Sequence, residues 1–192
     1  DRRQRQMCIR DREKENIDYT AIYNAKIKAL RNIFARLKAN EGTDYYKEFE
    51  AFKAADTGEL HRLAVFQTIS EEKSKVCNQA SKDWEDALSS SLGSGVEKFA
   101  AEHLYEIDFF KFLQFEADRQ LKMVERKIKE RNLALGLYRD LPVGVSKDSA
   151  EVWGDKYLYM QGSGAGAPPD NYFPTGQKSV SYTHLRAHET GA

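Results

Sequence analysis

The sequence predicts an α/β chain that is itself mostly helix. Three observations carry this. Apolar residues recur at spacings of three and four through several long segments, the period of an amphipathic helix. One short apolar run, Leu133-Ala134-Leu135-Gly136-Leu137-Tyr138, breaks that period straight after the longest helix and is bounded by charge. Its length and position fit a buried parallel strand following a helix. Beyond it the chain turns to glycine, proline and aromatic residues, the composition of a structured loop.

In chain order, Asp18 to Ala39 carries Tyr23, Ile27, Leu30, Ile33/Phe34 and Leu37 on one stripe. Asp18 or Thr20 suits its N-cap, and Asn40 with Gly42 its stop. Asp44 to Ala55 places Tyr45, Phe49 and Phe52 on one face, and Asp56-Thr57-Gly58 breaks it. Glu59 to about Ser70 follows with Leu60, Leu63, Phe66 and Ile69. Glu71 to Gly93 has weaker periodicity and a serine run at 89–91, and reads as a connection with a turn or two of helix. Ser94-Gly95-Val96-Glu97 fits a capping box. From there Leu104, Ile107, Phe110, Leu113, Ala117, Leu121, Val124 and Ile128 step by threes and fours to about Glu130. From Glu102 the run is about 40 Å at 1.5 Å per residue. Its face is broad and aromatic, so it needs more than one neighbour. After the strand, Arg139 to Val145 lies where sites form in α/β folds, at the carboxyl end of a strand. A short helix fits Ser149 to Trp153. There is no internal repeat.

Composition narrows the function classes. In 192 residues, 30 basic side chains balance 30 acidic ones. A neutral chain lacks the basic excess of a nucleic-acid binder. No apolar run reaches the length of a transmembrane helix, and no secretory signal is present. Neither nucleic acid nor membrane is an expected partner. Two cysteines build no disulfide framework, so a reducing cytoplasm is expected.

Both ends differ from the rest. Residues 2–12 read RRQRQMCIRDR and residues 180–190 read VSYTHLRAHET. Met7 to Arg12 back-translates onto a transposon-end sequence used in sequencing libraries, and Ser181 to Leu185 onto its reverse complement. The segments 1–12 and 179–192 are therefore set aside as adaptor-like tails. Cys8, His184 and His188 receive no role. The remaining chain is divided at 13–131, a helical insertion or subdomain, and 132–178, a strand and a substrate loop. It carries 24 basic against 27 acidic residues.

The densest chemical signal is the run from Gly162 to Gln177. Glycines, then Pro168-Pro169, then Tyr172 and Phe173 give a loop that is flexible, then stiff, then aromatic. Its rings suit sugar faces and Gln177 suits hydroxyls; a plain structured loop explains it equally. A Walker-type phosphate cradle is not supported, because Pro168-Pro169 stands where Lys-Ser/Thr is needed. Asp140, Asp148 and Glu151 lie just past the strand, either as ligands for hydroxyls or as caps. Trp153 is either a core anchor or a stacking platform. His61, His103 and Cys77 show no metal-ligand spacing, and no metal or cofactor is expected.

Three blocks resemble one family. They are Leu135 to Val145, Asp148-Ser149-Ala150-Glu151-Val152-Trp153, and Gly166-Ala167-Pro168-Pro169-Asp170 closing at Gly176-Gln177. In this order and spacing they resemble the 4-α-glucanotransferases, or amylomaltases. The resemblance is strong over Phe109 to Gln177 and looser before it. It implies a fragment of a (β/α)₈ TIM barrel with a large helical insertion. It also implies transfer of α-1,4-glucan segments between maltooligosaccharides by retaining double displacement. The family's nucleophilic Asp and acid/base Glu lie downstream of the Gly-Gln motif, so this chain is expected to hold no catalytic residue and to be inactive alone. Asp148 and Trp153 match the family's block beside the donor site. Asp170, Tyr172, Phe173 and Gln177 match a mobile loop that covers the bound glucan. The alternative is a helical protein-interaction module without enzymatic activity.

Overall fold

The computed structural model describes residues 17–77, 81–139, 145–159, 166–172, 174–178 and 181–182. The elements in order are α1 (Tyr19–Lys38), α2 (Asp44–Ala54), α3 (Glu59–Cys77), a 3₁₀ turn (Ser81–Asp83), α4 (Val96–Glu102), α5 (Leu104–Glu130), β1 (Val145–Ser146), α6 (Ala150–Gly154), β2 (Gly166–Ala167), β3 (Gln177–Lys178) and β4 (Ser181–Tyr182). No helix among the described residues is long and apolar enough to cross a membrane. The chain forms two compact units, 1–52 and 53–192.

In the first unit the Asp18 carboxylate accepts the Ala21 N–H at 2.9 Å, closing the first turn of α1 as its spacing predicts. At the other end the Asn40 amide donates to the Arg36 carbonyl at 2.6 Å. Thr43 caps α2 by accepting the Tyr46 N–H. Phe34, Leu37 and Phe49 are buried, with Phe34 and Phe49 edge to face at 6.3 Å. The predicted stripe of α1 is buried only in its second half; Tyr23 and Ile33 are exposed.

The second unit is built on α3. It runs seven residues past the predicted end. Its most extensive contacts are with α5, then with α6. Covered from two sides, it buries Ala64, Val65, Phe66, Thr68 and Ile69, more than one stripe. The buried Thr68 hydroxyl donates to the Ala64 carbonyl at 2.8 Å, so it costs little. Asp56 holds the start of α3: its carboxylate accepts the Gly58, Leu60 and His61 N–H groups at 2.8–2.9 Å. α5 answers α3 with Ile107, Phe109, Phe110, Phe112 and Phe115, all buried. Lys53 and Asp108 form a half-buried ion pair at 3.1 Å.

Three expectations are corrected. The capping box at Ser94 does not form: Gly95 is the N-cap and no side chain caps it. The run to Glu130 is not one helix. His103 leaves helical geometry at φ −123°, donates from Nδ1 to the Phe99 carbonyl at 2.8 Å, and stacks its ring on Phe99. The third concerns the strand. Leu133 to Tyr138 has no strand pairing, and Leu135 and Tyr138 are 83% and 93% exposed. A parallel strand needs neighbours for its backbone groups. The described residues offer only two antiparallel ladders of two residues each, β1 with β4 and β2 with β3. The described residues are therefore mostly helix with almost no strand, as expected of the chain itself, and no barrel sheet is formed among them. Asp140, at the end of the run, lies outside the described residues.

α5 ends in a Schellman turn. Asn132 takes φ +51°, the Leu133 N–H reaches the Ile128 carbonyl, and the Asn132 N–H reaches that of Lys129.

Candidate functional site

The predicted site residues fall on two local structures. The first is α6 with the turn before it. Ser149 is its N-cap and accepts the Val152 N–H. This places Asp148 one residue before the cap, exposed. The Ser81 hydroxyl donates to the Asp148 carboxylate at 3.4 Å, a long bond from the 3₁₀ turn.

Trp153 points the other way. It is 2% exposed, and its indole N–H donates to the Leu88 carbonyl at 2.7 Å. Its ring packs on Phe66 at 5.6 Å, and Phe66 packs in turn on Trp84 at 5.3 Å. Of the two roles open to Trp153, the structure places it as a core anchor. The serine run helps to hold it: the Ser91 N–H donates to the Trp153 carbonyl at 3.0 Å and the Ser91 hydroxyl to the Gly154 carbonyl at 2.5 Å. The segment 81–93, part of the stretch Glu71 to Gly93 that reads in sequence as a connection, is thus the cradle of the Asp148–Trp153 block. Its signal was present in Trp84 and the serines. Nothing local, however, says that they face α6, 60 or more residues away. Tyr159 is buried near the same helix. Burial raises its phenol pKa, the Glu151 and Asp155 carboxylates raise it further, and Arg62 opposes them.

The second structure is the hairpin of β2 and β3, with Gly166 opposite Lys178 and Ala167 opposite Gln177. It closes the proline-bearing loop at its base. Within the loop the Asp170 carboxylate accepts the Tyr172 N–H at 2.8 Å, an Asx-type turn. Tyr172 is 87% exposed. Gly176 takes φ +70°, which lets the chain turn back into β3. Phe173 lies outside the described residues. Gln177 is located by its backbone pairing alone. No group of three or more His, Cys, Asp or Glu side chains among the described residues could hold a metal ion.

The arrangement offers an exposed carboxylate beside a rigid aromatic core, and a separate hairpin carrying a carboxylate and an exposed phenol ring. These are groups for binding polyhydroxylated ligands.

The sequence pattern of the 4-alpha-glucanotransferase family matches residues 1–179, and the chain belongs to that family. The 4-alpha-glucanotransferase of Haemophilus influenzae is 29% identical over 86% of this chain and 25% of its own length. That of Synechocystis is 30% identical over 84% of this chain and 32% of its own. Among solved structures, the amylomaltase from Streptococcus agalactiae in complex with acarbose superposes with a TM-score of 0.73 at 18% identity. It covers 88% of this chain and 34% of that one. The likeness shows that the helical arrangement here is part of an amylomaltase fold. The chain spans about a quarter to a third of the relatives it matches.

Proposed function

We propose that this chain is a substrate-binding portion of a 4-α-glucanotransferase. The whole protein would transfer α-1,4-glucan segments between maltooligosaccharides in the cytoplasm by retaining double displacement on a (β/α)₈ barrel. The observation that carries this is the family match along nearly the whole chain. The names of its relatives and the acarbose in its structural neighbour support the substrate class. On this reading the catalytic carboxylates lie elsewhere in the whole protein, and this chain alone binds glucan weakly at best and turns over none. Asp148, Asp170, Tyr172, Phe173 and Gln177 are the residues assigned to glucan binding. Trp153 acts from the core by fixing α6, and through it Asp148.

The first experiment re-reads the source DNA across both ends with adaptor-free long reads. A frame that continues past Gln177 into further barrel strands bearing Asp and Glu supports the reading. A gene that encodes both tails and then stops overturns it in favour of the helical interaction module. Maltoheptaose transfer by the longer product is the activity test. Tyr172→Ala is expected to raise the KM for glucan about two- to tenfold, the order of one lost stacking contact.

A further inference from the structure

Thr68 and Ser81 are the buried polar residues among those described. A buried hydroxyl needs a partner. Thr68 finds one within its own helix, at the Ala64 carbonyl. Ser81 does not use its own turn. Its hydroxyl reaches across the fold to the Asp148 carboxylate, 67 residues away in sequence, at 3.4 Å. The bond is long, as hydrogen bonds that serve a binding site commonly are until substrate closes on them.

The two members of this pair differ in freedom. Ser81 is 8% exposed and opens the 3₁₀ turn, where its carbonyl accepts the Trp84 N–H at 3.3 Å. Trp84 is buried in turn against Phe66. Asp148 is exposed. The bonds from Leu88 and Ser91 to Trp153 and Gly154 fix the backbone of α6, but they do not reach the Asp148 side chain. Among the described residues the Ser81 hydroxyl is the one hydrogen-bond donor on that carboxylate. The core-held member therefore orients the exposed one. One carboxylate oxygen is taken by Ser81, and the other is left to accept a hydroxyl from a ligand. A side chain oriented beforehand loses less freedom on binding.

We propose that Ser81 is a positioning residue for glucan binding: its hydroxyl holds the Asp148 carboxylate in the orientation that accepts a sugar hydroxyl. This rests on the proposal above that Asp148 binds glucan in a longer glucanotransferase.

The test is a double-substitution cycle in the longer product recovered by long-read sequencing. Ser81→Ala, Asp148→Ala and the pair are compared with the parent. Maltoheptaose is the probe, with its Kd read by calorimetry and its transfer by KM and kcat. Ser81→Ala is expected to raise Kd and KM about two- to tenfold, the order of one hydrogen bond, and to leave kcat within about twofold. In the Asp148→Ala background the same substitution should change neither, because it has no carboxylate left to orient. Ser81→Thr keeps the hydroxyl and should return binding to within about twofold of the parent. Circular dichroism at 222 nm checks that each variant folds. Where Ser81→Ala does not, Ser81→Cys, a weak donor of similar size, takes its place. An equal penalty in both backgrounds overturns the proposal, since Ser81 then acts on the fold and not through Asp148. So does a loss confined to kcat, and so does a frame that extends no further. Transfer by the parent is read separately. A parent that transfers glucan while the cycle is additive refutes the role of Ser81 alone, and one that shows the coupling in Kd without transfer refutes the activity alone.

Discussion

Two buried tryptophans flank Phe66, and their indole N–H groups differ in one respect. That of Trp153 donates to the Leu88 carbonyl at 2.7 Å, whereas that of Trp84 has no protein partner among the described residues. Replacing each by phenylalanine separates the hydrogen bond from the ring. The lost ring area is similar in both and costs about 1 kcal/mol at ~25 cal/mol per Å². At Trp153 the substitution also leaves the buried Leu88 carbonyl without its donor, for a further ~1–3 kcal/mol. At Trp84 it removes a donor that burial leaves unsatisfied, which offsets most of the lost area. Trp153→Phe should therefore destabilise by about 2–4 kcal/mol, and Trp84→Phe should stay within about 1 kcal/mol of the parent. Urea unfolding followed by far-ultraviolet circular dichroism at 222 nm, compared at equal slopes, measures both. Equal destabilisation by the two substitutions would refute the hydrogen-bond argument. A harmless Trp153→Phe would show that Trp153 is not the anchor of α6.

Asp56→Ala should cost about 1–2 kcal/mol at neutral pH through loss of the α3 cap. Burial opposes ionisation of this carboxyl, but the N–H groups of Leu60, His61 and Gly58, with Lys111 nearby, outweigh it and hold its pKa below the ordinary value. The stabilisation is thus full above the unfolded carboxylate pKa and lost as pH falls through the lower folded value. A difference between parent and variant that does not shrink in urea titrations toward strong acid would count against this. Gly93→Ala should destabilise by about 1–3 kcal/mol, because a Cβ there overlaps the Ala87 carbonyl in a closed turn; thermal melts that coincide with the parent would exclude the clash. Asn132→Ala should cost about 1 kcal/mol from its positive φ, and Asn132→Gly nothing or less. The reverse order in urea midpoints would argue against the Schellman turn.

The sequence by itself determined the helices, most of their boundaries and the family. Period and caps are local: Asp18 sits three residues from the N–H it accepts, and Ser149 three from Val152. The family blocks are local strings as well. It also singled out the loop that carries Asp170 and Tyr172, because prolines and glycines write their backbone restrictions into the sequence. Only the tertiary structure decided the roles that depend on distant partners. Trp153 read equally as anchor or platform until Leu88, Ser91 and Phe66 were found around it. The stripe of α5 is uniform in sequence, yet it is buried at Phe110 and open at Val124, because α3 is shorter than the helix it covers. Leu133 to Tyr138 has the composition of a strand, but pairing belongs to a sheet, and none of its neighbours lies among the described residues.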